Sequence, residues 1–345
     1  MTLNSLRHLR RARAWIRGRL GPRGAILLYH RVFAAASDPY LLCVSPQHFE
    51  EHLQVIRSVA HPLSLSDFVS RLRAGSLPER ALCVTFDDGY HDNLYVAKPL
   101  LDRYDVSAAV FMTTGRIGRE REFYWDELER IFLQPNRLPR HLQFEMEGKY
   151  LEWDLSSHSV YSESDYAQHK GWSVVSEISP TERHTALLAV HKLLKPMSAE
   201  RQNRFLEEIQ VWSGIAPAVR ASHRALERDE VLVLGNQELI EIGAHTDNHP
   251  ALSALPHSAQ KGEIVQSKAA LEDWLDKPVD AFAYPYGLYS RDTISVVKEA
   301  GFNYACACLD RTVRLDSDRY ALPRVDVFDW DGDEFAQELD LWFRQ

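Results

Sequence analysis

Short apolar runs alternate with helix-like stretches at both ends of this chain, and that alternation limits the possible folds more than any other feature. Residues 25–30 (AILLYH), 63–65, 81–86 (ALCVTF) and 107–113 (SAAVFMT) read as strands. Between them, Ser45-Pro46 opens a helix that carries Phe49, Leu53 and Ile56 on one face, with proline in its first turn. A second short helix is expected over 66–72, and a third after Gly89 to about residue 104. The rhythm returns late in the chain, with strands at 239–244, 279–284 and 304–308. Helices at 258–275, 291–300 and 333–343 separate or follow them. Repeated strand–helix units require a parallel sheet, either open or closed into a barrel.

The interval at about 115–236 breaks the pattern. Leu142, Phe144 and Met146 alternate before Gly148, which predicts a hairpin. Residues 180–194 and 198–212 read as helices. The interval is therefore expected to be a mixed α+β insertion on one strand–helix loop, where specificity commonly resides.

Net charge is −9, a balance between seven arginines in residues 1–24 and about −16 on the remainder. An acidic body argues against a nucleic-acid partner. The basic arm at 1–24 reads either as a peripheral contact with an anionic membrane face or as a solvated tail. No run of about 18 apolar residues occurs and no apolar segment follows the basic start, so neither a membrane span nor a cleaved signal is expected. Cys43, Cys83, Cys306 and Cys308 fit no zinc-ribbon spacing. They read as reduced thiols, which favours the cytoplasm.

Two clusters carry chemistry. Asp87-Asp88-Gly89 ends a buried strand, and two adjacent carboxylates there need positive compensation. His245 and His249 stand four apart, a spacing that lets both imidazoles face one ion. One carboxylate and two histidines make a facial triad with open positions, suited to a divalent ion that activates water.

With these residues in place, the sequence resembles the polysaccharide deacetylases that share the NodB homology domain. The matching stretches are TFDDGY from Thr85, GAHTDNHP from Gly243, FAYPYG from Phe282, and Gly301-Phe302. The resemblance implies a distorted (β/α)7 barrel over 25–345 and removal of N-acetyl groups from amino sugars of a glycan. It implies Asp87 as general base and Asp88, His245 and His249 as metal ligands. Zinc is the expected ion, with cobalt or nickel as alternatives. Tyr284, Pro285 and Tyr286 would flank the substrate, and the Tyr286 N–H would meet the oxyanion. Two departures stand out. Ala283 occupies the place of an arginine that orients the base, leaving Arg324 as the candidate. No histidine follows His257, so His30, at the end of the first strand, becomes the candidate acid.

Two other functions remain open: an amidase acting on a different N-acyl compound, and a carbohydrate-binding homologue without turnover. His91 and Asp92 read as helix caps, and Asp326, Asp329 and Asp331 as an acidic loop, with Asp326 a candidate partner for a catalytic group. Trp125 is assigned either to sugar stacking or to the core, and Trp153, Trp172 and Trp212 have no assigned role.

Overall fold

The computed structural model describes residues 23–146 and 149–344. The basic arm, apart from its last two residues, lies outside them. In chain order the strands are β1 (Gly24–Tyr29), β2 (Arg31–Val32), β3 (Cys43–Val44), β4 (His61–Pro62), β5 (Ala81–Phe86) and β6 (Ala108–Met112). They continue as β7 (Asn136–Arg137), β8 (His141–Met146), β9 (Lys149–Asp154) and β10 (Val160–Tyr161). The last four are β11 (Ile240–Ala244), β12 (Ala281–Ala283), β13 (Tyr304–Cys308) and β14 (Leu322–Asp326).

Seven strands close a ring, β1–β5–β6–β11–β12–β13–β14 and back to β1, with every neighbour parallel. The short β4 shares an edge of β5. Each strand alternates between an inner and an outer face. Ile26, Cys83, Ala109, Phe111, Ala283, Cys306 and Leu322 pack together inside the ring. Leu27, Val84, Val110, Ile242, Phe282 and Val325 pack outward, against the helices. Burial on both faces explains why these strands read as unbroken apolar runs.

Interior space is shared unevenly. A Cβ on Gly243 would lie 2.4 Å from the Phe111 ring, so glycine there makes room for the phenylalanine. Phe111 in turn forms a floor beneath Arg324, whose guanidinium carbon sits 5.4 Å from the ring centroid.

Helices follow the strands as the alternation predicts, with shifted bounds. The helix expected over 66–72 spans Leu65–Ala74, because the Ser64 hydroxyl accepts from the Asp67 amide and caps it. Residues 63–65 are consequently not a strand; the pairing lies earlier, at β4. The helix expected directly after Gly89 starts as a π-helical turn at Asn93–Ala97 before Lys98–Tyr104. Asp92 is not a side-chain cap. It is buried, accepts from the Val32 amide and pairs with Arg31.

Between β6 and β11 the chain leaves the barrel. β8 and β9 form the expected antiparallel hairpin. The helix Tyr124–Phe132 packs on the helices Glu182–Leu194 and Ala199–Ser213. The helix Arg228–Gly235 returns the chain to β11.

Candidate active site

Parallel strands deliver their C-terminal ends to one rim, and the chemistry-bearing residues gather there. His30, Asp87, Asp88, His245, His249 and Tyr286 share a cavity of about 280 Å³, with Asp326 and Cys308 at its wall.

Asp87 continues the inward phase of Thr85, and both meet Arg324. The Arg324 guanidinium donates to both Asp87 carboxylate oxygens at 2.7 Å and to the Thr85 hydroxyl at 3.2 Å. Such a bidentate fork fixes the orientation of the carboxylate. Burial alone would raise the Asp87 carboxyl; Arg324, with His245 and His30 behind it, holds it below its ordinary value. Ala283 faces the same interior from the other side of β13, and the guanidinium that meets Asp87 comes from β14.

Asp88 should point outward by alternation. Its φ of 73° breaks the phase and returns the carboxylate to the cavity. Thr246, His249 and Tyr286 also have positive φ, at 65°, 62° and 58°. Four non-glycine residues in this region at one rim are stored strain, at roughly 1–3 kcal/mol each.

The His245 ring pairs with the Ala283 carbonyl through Nδ1 at 2.8 Å. Only a protonated Nδ1 can donate there, which leaves the Nε2 lone pair facing the cavity. Nε2 lies 3.7 Å from both Asp87 Oδ2 and Asp88 Oδ1. His249 Nε2 lies 3.3 Å from Asp88 Oδ1. The ligand atoms of Asp88, His245 and His249 all fall within 4.8 Å of one another, and Asp88 Oδ1 is buried without a hydrogen-bond partner. Burial pushes both histidines below their ordinary pKa, His249 well below, so neither brings a proton to that carboxylate. Burial and the charge of Asp87 drive the Asp88 carboxyl well up. Three potential ligand atoms converge on one point, and a divalent cation, which would displace the proton that burial leaves on Asp88, fits that set.

His30 directly follows β1 and is largely buried. Burial lowers its pKa, while Asp87 and Asp326 pull it back up. Asp326 pairs with Leu28 in register and lines the cavity, so it does not belong to the exposed acidic loop expected of it. Asp329 does lie outside, accepting from the Ser45 amide and holding His48.

The FAYPYG stretch divides. Tyr284 and Pro285 are buried, and the Tyr284 hydroxyl donates to the Tyr320 carbonyl. Only Tyr286 lines the cavity, its ring 4.6 Å from that of His249 and its hydroxyl 3.0 Å from that of Tyr124. Trp125 also reaches the cavity, but its ring stacks on Phe123 and its Nε1–H donates to the Tyr90 hydroxyl. Trp172 lines a separate groove, Trp212 donates to the His141 carbonyl, and Trp153 packs against the core; none reaches this cavity. The sequence reading missed Tyr40, Leu42, His191 and Lys195, which complete the wall. His191 lies in the last turn of the helix Glu182–Leu194 and Lys195 is the residue that follows that helix, a spacing that by itself marks no site.

Residues 74–182 and 219–305 match a family model described as polysaccharide deacetylase. A Bacillus subtilis relative, YxkH, is 28% identical over 122 residues, covering 34% of this chain and only 42% of that protein. The poly-beta-1,6-N-acetyl-D-glucosamine N-deacetylase of Staphylococcus epidermidis is 23% identical over 302 residues, 84% of this chain and 72% of that one. The solved structure of IcaB from Ammonifex degensii superposes with a TM-score of 0.56 at 16% identity, covering 94% of this chain and 98% of the other, a likeness of fold.

Proposed function

Because the chain belongs to the polysaccharide deacetylase family, we propose that it is a metal-dependent hydrolase that removes N-acetyl groups from amino sugars of a glycan. The observation that carries this reading is the division of labour within Asp87-Asp88. One carboxylate is held by Arg324, and the other faces the imidazoles of His245 and His249.

Asp88, His245 and His249 would hold the ion, with zinc the first expectation and cobalt or nickel the alternatives. A divalent ion there supplies Lewis acidity to an amide carbonyl and acidity to a water molecule. The rest falls to the chain. Asp87, oriented by Arg324, takes a proton from the attacking water as its oxygen bonds to the carbonyl carbon. The Tyr286 backbone N–H serves the oxyanion. His30, in its protonated form, gives a proton to the departing nitrogen as the C–N bond breaks, releasing acetate and a free amine. Burial works against that protonated form, and the charges of Asp87 and Asp326 oppose burial.

The relatives named above direct the substrate toward N-acetylglucosamine polymers. The four cysteines, none in a disulfide, suit a cytoplasmic enzyme. Among the described residues, no helix is long and apolar enough to cross a membrane. Contact of the basic arm with a membrane face remains a proposal, tested by fractionation after deleting residues 1–22; unchanged membrane recovery would remove it. The central test is metal analysis joined to an acetate-release screen over N-acetylated glycans with Zn2+, Co2+ and Ni2+. Stoichiometric metal and acetate release support the reading; a protein that binds no metal sinks it.

A further inference from the structure

One wall of the cavity comes from outside the barrel. His191 and Lys195 stand one turn apart at the end of the helix Glu182–Leu194, and both line the cavity opposite the barrel rim. Lys195 is half-buried, with its ammonium 4.3 Å from the centroid of the Tyr286 ring. The same ring lies 4.6 Å from His249. Cation and candidate metal ligand therefore contact one tyrosine, with room between cavity walls for a sugar ring.

Lys195 lacks a counter-ion. Among the described residues, no carboxylate ion-pairs with it, and burial lowers its pKa, with Cys308 acting in the opposite direction. An ammonium taken out of water without an anion is costly, and an aromatic face repays only part of that, roughly 0.5–2 kcal/mol. A lysine at a helix C-terminus also meets the carbonyl end of the dipole. That role requires neither a cavity nor an aromatic ring. His191 lines the same wall. Its Nδ1 is buried without a partner, and burial, with Lys195 and Lys192, lowers its pKa to about 4. The wall thus presents one unpaired cation and one neutral imidazole to whatever enters.

Resting on the deacetylase reading, we propose that Lys195 and His191 form a subsite for an anionic oxygen group carried by the substrate, a carboxylate or a phosphate attached at or next to the acetamido sugar. Lys195 binds the charge, and His191 lines the subsite beside it. The subsite selects among N-acetylated sugars by charge. The acetamido group itself goes to the rim of Asp87, Asp88, His245 and His249.

The test uses the full-length, metal-loaded protein and three probes: N-acetylglucosamine, its 1-phosphate, and N-acetylmuramic acid, which carries a carboxylate. Calorimetric titration gives Kd for each, and acetate release is followed separately. At least one anionic sugar is expected to bind tenfold or more tightly than the neutral one, and which one identifies the anion. Lys195→Met should collapse that ratio to near one, while Lys195→Arg keeps most of it. Equal affinity for neutral and anionic sugars in the wild type, or a ratio that survives Lys195→Met, overturns the subsite. Acetate release without charge preference sinks this inference alone. Charge preference without acetate release from any probe keeps the subsite and counts against the deacetylase reading.

Discussion

Arg324 and Arg183 are both fully buried, one in the barrel and one in the excursion between β6 and β11, and their partners differ in kind. Arg324 faces a carboxylate. Asp87 raises its pKa above the ordinary value despite burial. Among the described residues, Arg183 has no carboxylate acceptor. It donates to the carbonyls of Phe132, Asn136, His158 and Ser159 and to the Asn136 side chain. Burial lowers its pKa to about 10. The first arginine compensates a charge that chemistry can use. The second spreads its own charge over neutral oxygens and joins β7, β10 and the end of the helix Tyr124–Phe132. A buried cation is thus informative only with its acceptors.

The comparison breaks most sharply at Asp87. Asp87→Asn should cut acetate release by about 10³-fold, within the usual range for a general base, while metal content stays unchanged. Retention of a tenth of the activity would place the base elsewhere. Next comes Arg324→Met, which leaves a buried carboxylate unpaired and should cost about 3–5 kcal/mol in denaturant unfolding. Arg324→Lys should restore part of that stability but little activity, because an ammonium cannot form the fork. Arg183→Leu should cost about 2–3 kcal/mol from orphaned carbonyls. Its loss of amide protection should concentrate in β7, β10 and the helix Glu182–Leu194, with acetate release from the barrel site largely kept. Equal loss across the barrel strands would show that the two regions unfold together.

The smallest effect concerns pH. His184 packs against Trp172 and His169 and bonds the Thr181 hydroxyl; burial, with His169, His158 and Arg183 nearby, lowers its pKa to about 4. A histidine depressed on folding contributes its full stability above its ordinary pKa of about 6.5 and loses it as pH falls toward the folded value. Hydrogen exchange in the helix Glu182–Leu194 should therefore quicken between pH 6.5 and 4. His184→Phe should flatten that dependence; an unchanged slope would assign it to other groups, His191 first.

Much of the fold was legible because burial on both faces writes parallel strands as compact apolar runs. Ala81–Phe86 and Tyr304–Cys308 were read at their true bounds for that reason. The strand expected at 63–65 failed because the capping Ser64 outweighs its two apolar neighbours, Leu63 and Leu65. At the site, Asp87, Asp88, His245 and His249 sit in local motifs, so their neighbourhoods announce them. Arg324, His30 and Asp326 could be named only as candidates, since their partners lie on other strands. Lys195 and His191 carried no signal, because an amphipathic helix uses such residues on any solvated face.

The sequence by itself determined the alternation, the inward phase of each strand and the pairing of two carboxylates with two histidines. Those follow from side-chain period and from motifs a few residues long. Tertiary structure decided which charge meets which. Closure of the ring sets Cys308 against Arg324 and Leu28 against Asp326, and only then does a guanidinium on the last barrel strand reach a carboxylate 237 positions earlier. Packing of the excursion likewise put an unpaired ammonium on the ring beside His249. Coulomb energy and desolvation depend on distance through space, and chain order does not encode that distance until the barrel closes.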